Sequence, residues 1–316
     1  MTLLPALQAS AKAEIARIAA FAEGETGVAA LHMETGEAIG FGEHGRYPPG
    51  SSIKMALVLC IFAMVDRGEL SLDDMIEVDD VEMTSSGPLG GEFVHAGVAL
   101  SLINLIEVTI TRSDNTATDV LFRLAGGPAA VQAWLRDIGI DDFDVTLSMR
   151  EALCVMHELS LPPSDVSIRT LLRDQPPEVM DARERTHGPG FDYQLSVRDH
   201  CTPLAMLELL RRLYQLDGVS ARTRELLLPI MQRTPSFNRI RARLPKGVVG
   251  GTKPGSGSGT CSDVGFITLP VGRGTFAISV QVKASPRSMA EREVVVADIT
   301  RLIYDYFLLI TSPEAA

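Results

Sequence analysis

"YPPGSSIKMALVLCIFAMVD", residues 47–66, places a serine and a lysine three positions apart at the head of an uninterrupted apolar run. Ser51 and Lys54 share one turn of a predicted helix, and the apolar run Met55 to Val65 predicts that this helix is buried. Burial lowers the pKa of a lysine, and a neutral amine can take the proton of a neighbouring hydroxyl. The segment therefore predicts an activated serine, although the same residues fit an ordinary helix start capped by Ser51 or Ser52.

Two short motifs later in the chain bear on this choice. TRSDNTATD places the tripeptide Ser113 to Asn115 at a break between two predicted helices. GGTKPGSGSG places Lys253 on a glycine-rich segment entering a predicted strand, where the missing side chain of Gly255 lets a substrate backbone approach closely. Taken separately, SDN fits a helix cap and KPG fits a turn. Because they occur together and in this order, they favour the activated serine.

Hydrophobic periodicity predicts strands at both ends of the chain and helices between them. Residues 26–42 fit a β-hairpin, and strand alternation returns beyond residue 247, before a last helix at about 290–310. We therefore predict an α+β fold with one antiparallel sheet built from both chain ends (1–48 and 236–316) and flanked by helices. An all-helical lobe (49–235) would contain a long surface loop at about 156–198, and a cleft between the lobes is the default site.

Composition bounds the partners of the protein. Its 316 residues are 46% hydrophobic and 22% charged, as in an ordinary globular protein, and its net charge of −11 argues against nucleic acid. The basic stretch RIRAR (239–243) is interpreted as solvated. We expect a small-molecule substrate, no membrane span, and no metal, since the four cysteines lack metal-ligand spacing. No secretory signal is visible, so the protein is expected in the cytoplasm unless its export signal was removed.

The three motifs correspond to S-x-x-K, S-D-N and K-T-G, the signature of class A β-lactamases and penicillin-binding proteins, with KPG standing in place of K-T-G. The chain resembles the class A β-lactamases beyond these triplets. SDNTATDVLFRLAGGPAAVQAWLRDIG (113–139) is similar to the family's SDN and GGP helices, and RDHCTP (198–203) to the end of its omega loop. IRARLPKGVVGGTKPGSG (240–257) is similar to the approach to its KTG strand. The resemblance implies a β-lactamase/transpeptidase-like fold and a reaction without a cofactor.

The resemblance also implies a role for each matching catalytic residue. Ser51 would be the acylated nucleophile, and Lys54 its base or proton relay. Ser113 would pass a proton to the leaving group, and Lys253 would supply positive charge beside it.

A substrate-binding set of Asn115, Gly255 and Ser256 follows from the same resemblance. Asn115 would hold Lys54 or an amide of the substrate. The backbone N–H groups of Ser51 and Ser256 would form the oxyanion hole, in which each donor typically contributes a few kcal/mol to transition-state stabilisation.

Two departures from the family pattern concern binding and deacylation. Pro254 replaces the KTG hydroxyl expected to grip a β-lactam carboxylate, and Thr252 and Ser256 are the candidates to substitute for it. Class A enzymes hold the deacylating water with an omega-loop glutamate followed four residues later by asparagine, and no such pair precedes RDHCTP. Glu151 and Glu184 are the nearest glutamates, with a structural or solvated role as the alternative for both.

These observations favour a serine hydrolase of class A β-lactamase fold, acting on a β-lactam or a related ester or amide through a Ser51 acyl-enzyme. The main alternative is a penicillin-binding or sensor-like protein that is acylated but does not turn over, because no deacylating glutamate is recognisable. A catalytically silent binding module is a third hypothesis, which the intact SxxK motif disfavours. Neither the substrate nor the oligomeric state follows from the sequence.

Overall fold

The computed structural model describes residues 3–84, 87–93, 95, 97–157, 159–174 and 198–312. Its main sheet contains the strands β1 (Glu25–His32), β2 (Ala38–Phe41), β5 (Gly250–Gly257), β6 (Thr260–Thr268) and β7 (Thr275–Lys283). All neighbours pair antiparallel, in the order β2-β1-β7-β6-β5. The prediction of one antiparallel sheet built from both chain ends is confirmed, and β5 is one of its edges.

Helices fill most of the chain between the two halves of this sheet. They are α2 (Lys54–Asp66), α3 (Gly87–Glu92), α4 (Leu102–Thr111), α5 (Asn115–Ala125), α6 (Pro128–Asp137), α7 (Met149–Met156), α8 (Arg169–Arg173), α9 (Pro203–Gln215) and α10 (Ala221–Gln232). The strands β3 (Met75–Val78) and β4 (Val98–Ser101) form a small antiparallel sheet among them. The lobe is therefore not all-helical as predicted, because two four-residue strands are too short to show clear alternation.

The main sheet separates two hydrophobic cores, because side chains alternate between its faces. Val28 and Ala30 face the terminal helices α1 (Leu3–Ala19) and α11 (Met289–Ile310). Ala29 and Phe266 belong to the other core, together with the helices of the middle of the chain.

The apolar run after Ser51 forms the central helix of the helical lobe. α2 is apolar on every side, and residues 54–62 are all buried. A 3₁₀ turn at Gly50–Ile53 precedes α2, which packs against α4, α5 and α6. Lys54, as the first residue of this helix, is thereby carried into the interior.

The predicted loop at about 156–198 is described in part. α7 ends at Met156, and α8 is a short helix that follows it. Ile168 and Leu172 are buried in a cluster with Leu153, so α8 packs onto the lobe, whereas most residues from 159 to 167 are exposed, as predicted for a surface loop. Glu184 lies in 175–197, outside the described residues.

Candidate active site

The motif residues meet in a cleft of about 650 Å³ between the β5 edge of the sheet and the helical lobe. The 3₁₀ turn contributes Ser51, and the break between α4 and α5 contributes Ser113 and Asn115. Lys253 and Ser256 come from β5. A cleft of this volume is the size that drug-sized ligands occupy.

Lys54 brings an amine to this cleft from the helical side. Its Nζ donates to the carbonyl oxygen of Ser113 at 2.7 Å, to Ser113 Oγ at 3.2 Å and to Asn115 Oδ1 at 2.7 Å. Burial lowers the pKa of Lys54 to about 7, and the negative charges of Asp114 and Asp119 oppose this shift. Near pH 7 a large fraction of the amine is therefore neutral and able to accept a proton.

Lys253 brings a second amine to the same hydroxyl. Its Nζ donates to Ser113 Oγ at 3.0 Å and to the carbonyl oxygen of Pro254 at 2.9 Å. Burial lowers the pKa of Lys253 well below its usual value, the positive charge of Lys54 lowers it further, and the carboxylate of Asp263 opposes both. Ser113 Oγ thus lies between two amines with lowered pKa values, which forms a short path for a proton.

Ser113 is held in a backbone conformation that residues with side chains rarely adopt. Its φ is 55°, in the left-handed region. Asp114 fixes the next turn, because one carboxylate oxygen accepts the N–H of Ala117 and the other accepts the N–H of Leu89, each at 2.8 Å. Such strain, stabilised by a buried helix cap, is typical of functional sites.

The turn that carries Ser51 packs directly on β5. Gly50 has a φ of 53°, and a Cβ on Gly50 would stand 2.8 Å from the backbone nitrogen of Ser256. The two segments predicted to supply the oxyanion hole are therefore in contact.

The structure gives a different reason from the predicted one for a glycine at position 255. A Cβ at this position would lie 2.1 Å from the carbonyl oxygen of Pro49 and 2.4 Å from Ser262 Oγ. That space is filled by the turn before Ser51 and is not open to a substrate. The expectation that the missing side chain admits a substrate backbone is therefore wrong, and the glycine instead lets the turn that carries Ser51 pack on β5.

Arg239 is a cation of the cleft that sequence patterns do not reveal. The interpretation of 239–243 as solvated is wrong at this residue, because the guanidinium of Arg239 is buried and its Nη2 donates to Ser256 Oγ at 2.6 Å. Its Nε lies 3.1 Å from a carboxylate oxygen of Glu293. Ile240, the next residue, is also fully buried in the structure, so this stretch does not lie free in solvent.

Of the two glutamates proposed as deacylating bases, only Glu151 lies among the described residues, and its carboxylate is engaged in a helix cap. Glu151 closes the N-terminal capping box of α7, because its Oε2 accepts from the backbone N–H and the hydroxyl of Ser148 at 2.8 and 2.9 Å. This is the structural alternative for Glu151, and Glu184 stays a hypothesis.

The side of the cleft formed by α7 and α8 is bordered by an apolar wall. The apolar wall consists of Met149, Ala152, Leu153, Met156 and Leu172, and the buried His157 at the C-terminal end of α7 lines the cleft beside it.

Neither a cluster of metal-ligating side chains nor a membrane-spanning helix is found in the part of the chain that the structure describes. There, no group of three or more His, Cys, Asp or Glu side chains is arranged to hold a metal ion. None of the described helices combines the length and the apolar character needed to cross a bilayer. The four cysteines are buried free thiols.

The fold and this cleft define a class of protein, a hydrolase of the serine β-lactamase type. Comparison with known proteins narrows the class to a family. A family model described as "Beta-lactamase enzyme family" matches residues 10–307, and the chain belongs to that family.

Individual relatives agree with this placement. Beta-lactamase VEB-1 of Pseudomonas aeruginosa is 25% identical over 293 residues, which cover 89% of this chain and 85% of the relative. A β-lactamase of Streptomyces albus G is 30% identical over 283 residues, covering 88% and 78%. The solved structure of a β-lactamase from Chitinophaga pinensis has a TM-score of 0.76 at 28% identity, covering 94% of this chain and 98% of that one. TLA-3 extended-spectrum β-lactamase has a TM-score of 0.78 at 25% identity, covering 95% and 99%. The chain is thus a divergent class A member, and the predicted fold is confirmed.

Proposed function

We propose that the protein hydrolyses a β-lactam, or a related ester or amide, through an acyl-enzyme on Ser51. One observation carries the proposal. Two buried amines, those of Lys54 and Lys253, lie 3.2 and 3.0 Å from Ser113 Oγ, in the cleft that Ser51 lines. Membership of a β-lactamase family supports the same chemistry.

In the proposed acylation, Ser51 Oγ attacks the carbonyl carbon while neutral Lys54 accepts the hydroxyl proton. The new C–O bond forms as the carbonyl electrons move to oxygen, where the backbone N–H groups of Ser51 and Ser256 stabilise the charge. The intermediate then collapses and the bond to the leaving group breaks. The proton passes from Lys54 through Ser113 Oγ to the leaving group, and Lys253 orients that hydroxyl.

Arg239 supports the β-lactam version of this proposal. Pro254 lacks the hydroxyl that the family pattern assigns to carboxylate binding. Ser256, on the same strand as Pro254, provides a hydroxyl instead. Its Oγ lies 2.6 Å from Nη2 of the Arg239 guanidinium. The nearby carboxylate of Glu293 offsets part of this positive charge.

A protein that is acylated but does not turn over is the second candidate, and the apolar wall favours it. Hydrolysis of an acyl-enzyme needs a base that activates water. Glu151 serves the cap of α7. Asp199 lines the cleft, but its Oδ1 accepts from the backbone N–H of Thr146 at 2.6 Å and holds the segment before α7.

Intact-protein mass against time separates the two candidates. The protein is mixed with a penicillin, a cephalosporin and, separately, an activated short-chain ester. A hydrolase gives a transient adduct with accumulating product, whereas the second candidate gives a lasting adduct. Ser51→Ala should abolish the adduct, while Ser164→Ala, on an exposed segment outside the cleft lining, should leave it unchanged. The absence of both an adduct and hydrolysed product from the native protein, or an adduct that persists in Ser51→Ala, would contradict the proposal.

A further inference from the structure

The apolar wall contains side chains that core packing does not explain. Leu153 and Leu172 are buried in a cluster with Ile168, which accounts for them. Met156 is only partly buried and belongs to none of the hydrophobic clusters of the described residues, yet it lines the cleft. An apolar side chain that borders a catalytic cleft without serving a core is available to a ligand.

Phe237 provides a matching surface from the loop before β5. Its ring lines the same cleft, and 64% of the residue surface is exposed. The guanidinium of Arg241 lies 4.5 Å from the ring centroid and restrains it. A single exposed apolar residue is ordinary on a protein surface, so Phe237 matters here because it lines the same cleft as the apolar wall. The cleft thus has apolar surface on both of its lobes.

The apolar wall is fixed before any ligand arrives. The carboxylate of Asp119 accepts the backbone N–H groups of Met149 and Arg150, at 2.7 and 2.8 Å, and so anchors the first turn of α7. The Arg150 guanidinium donates to the carbonyl oxygens of Pro163 at 2.6 Å and Val166 at 2.6 Å, which ties α7 to the segment that leads to α8. A preformed surface requires little reorganisation when an apolar group binds.

We propose that this wall and Phe237 bind an extended apolar acyl group, so that the preferred substrate carries several methylenes or an aryl ring on its acyl side. The inference rests on the proposed Ser51 chemistry, because it is the nucleophile that brings an acyl group into this cleft. The volume of about 650 Å³ far exceeds the need of an acetyl group. The exposed Arg112 at the end of α4 also lines the cleft, but an exposed cation adds little affinity for an anionic group.

The test is the rate of Ser51 acylation by p-nitrophenyl esters of two, four, six and eight acyl carbons, with the rate of Ser51→Ala subtracted. Burial of one methylene is worth up to about fourfold, from about 0.8 kcal/mol per methylene. We expect the eight-carbon ester to acylate at least tenfold faster than the acetyl ester. Met156→Gln and Phe237→Ser should each lower this ratio at least threefold and leave the acetyl rate within twofold. Met75→Gln, at a methionine that is 65% exposed and outside the cleft lining, is the matched control and should leave the ratio unchanged.

The possible failures are distinguishable. A flat series with Ser51 acylated by the acetyl ester would overturn the inference and leave the proposed function standing. A steep series that neither Met156→Gln nor Phe237→Ser reduces would also overturn it, because the preference would then arise elsewhere. No acylation by any ester or β-lactam would overturn the proposed function, and this inference with it.

Discussion

The two sides of the cleft are built by opposite chemistry. The catalytic side places the amines of Lys54 and Lys253 around Ser113 Oγ, where burial lowers the pKa of both lysines. The apolar wall, from Met149 to Leu172, is formed by α7 and α8, and α7 begins at a capping box whose residues do not line the cleft. The parts that are proposed to form an acyl-enzyme and the surface that surrounds its acyl group share one support, Asp119, whose carboxylate anchors α7 and whose charge opposes the lowering of the Lys54 pKa. Changes on one side, other than at Asp119, should leave the other side working.

The largest effect is expected from Lys54→Met. Acylation should rise as the pH passes through about 7, because the neutral amine of Lys54 is the proposed base and burial lowers its pKa to that value. The variant should lose this pH dependence and about 10²–10⁴-fold in acylation rate, the usual contribution of a general base. Stopped-flow acylation over pH 5.5–9 measures both. Lys246→Met, at an exposed lysine, is the control. A variant rate within tenfold of the native rate would contradict the role of Lys54.

The same substitution has a stability signature that does not depend on activity. The folded protein releases the Lys54 proton at about pH 7, whereas the unfolded chain releases it near 10.5. Between these values the unfolded state binds more protons, so the free energy of unfolding contributed by this group rises with pH from 7 to 10.5. Below pH 7 Lys54 is protonated in both the folded and the unfolded state, so the folded state bears the full cost of burying its charge. Urea unfolding should show that Lys54→Met loses this rise.

Asp114→Ala should have the next largest effect, on the catalytic side. It removes the cap of α5 and a second buried hydrogen bond to Leu89, so we expect the free energy of unfolding to fall by about 2 kcal/mol. Acylation should fall as well, because Ser113 loses the support of its left-handed backbone. Urea unfolding and acylation rates check the two effects. A change of less than about 0.5 kcal/mol in the free energy of unfolding would show that the cap contributes little to stability.

The residues of the proposed catalytic side could be predicted from the sequence because they belong to short motifs with fixed spacing. Ser51 and Lys54 share a turn, SDN breaks two helices, and Lys253 lies in a short motif. The apolar wall could not be predicted in this way. Counting along the chain points to Glu151, but Met149 lines the cleft, and two residues along a helix turn a side chain by roughly 200°. The burial of Arg239 could not be predicted either, because it depends on contacts with β5 and with Glu293.

Met149→Glu tests whether the apolar character of the wall limits deacylation. A glutamate at the start of α7 would place a base in the cleft, and the positive end of the helix dipole favours the charge, although Asp119 opposes it. We expect the acyl-enzyme to be hydrolysed about tenfold faster, less than the usual 10²–10⁴-fold contribution of a general base, because an introduced carboxylate lacks partners that orient it toward the water. Met149→Gln is the matched control. Equal adduct lifetimes in the two variants, measured by intact mass, would show that deacylation is set elsewhere.

Ser148→Ala should have the smallest effect and sharpens the comparison most directly. Ser148 caps α7 in a box with Glu151, and Ser288 caps α11 in the same kind of box with Glu291. Neither Ser288 nor Glu291 lines the cleft, although Glu293 of the same helix does. Each serine-to-alanine change should lower the free energy of unfolding by about 1 kcal/mol. Only Ser148→Ala loosens the apolar wall, so only it should lower the ratio of eight-carbon to acetyl acylation. Equal ratios in Ser148→Ala and Ser288→Ala would show that Asp119 and Arg150 suffice to hold α7, and the cap would then contribute to stability alone.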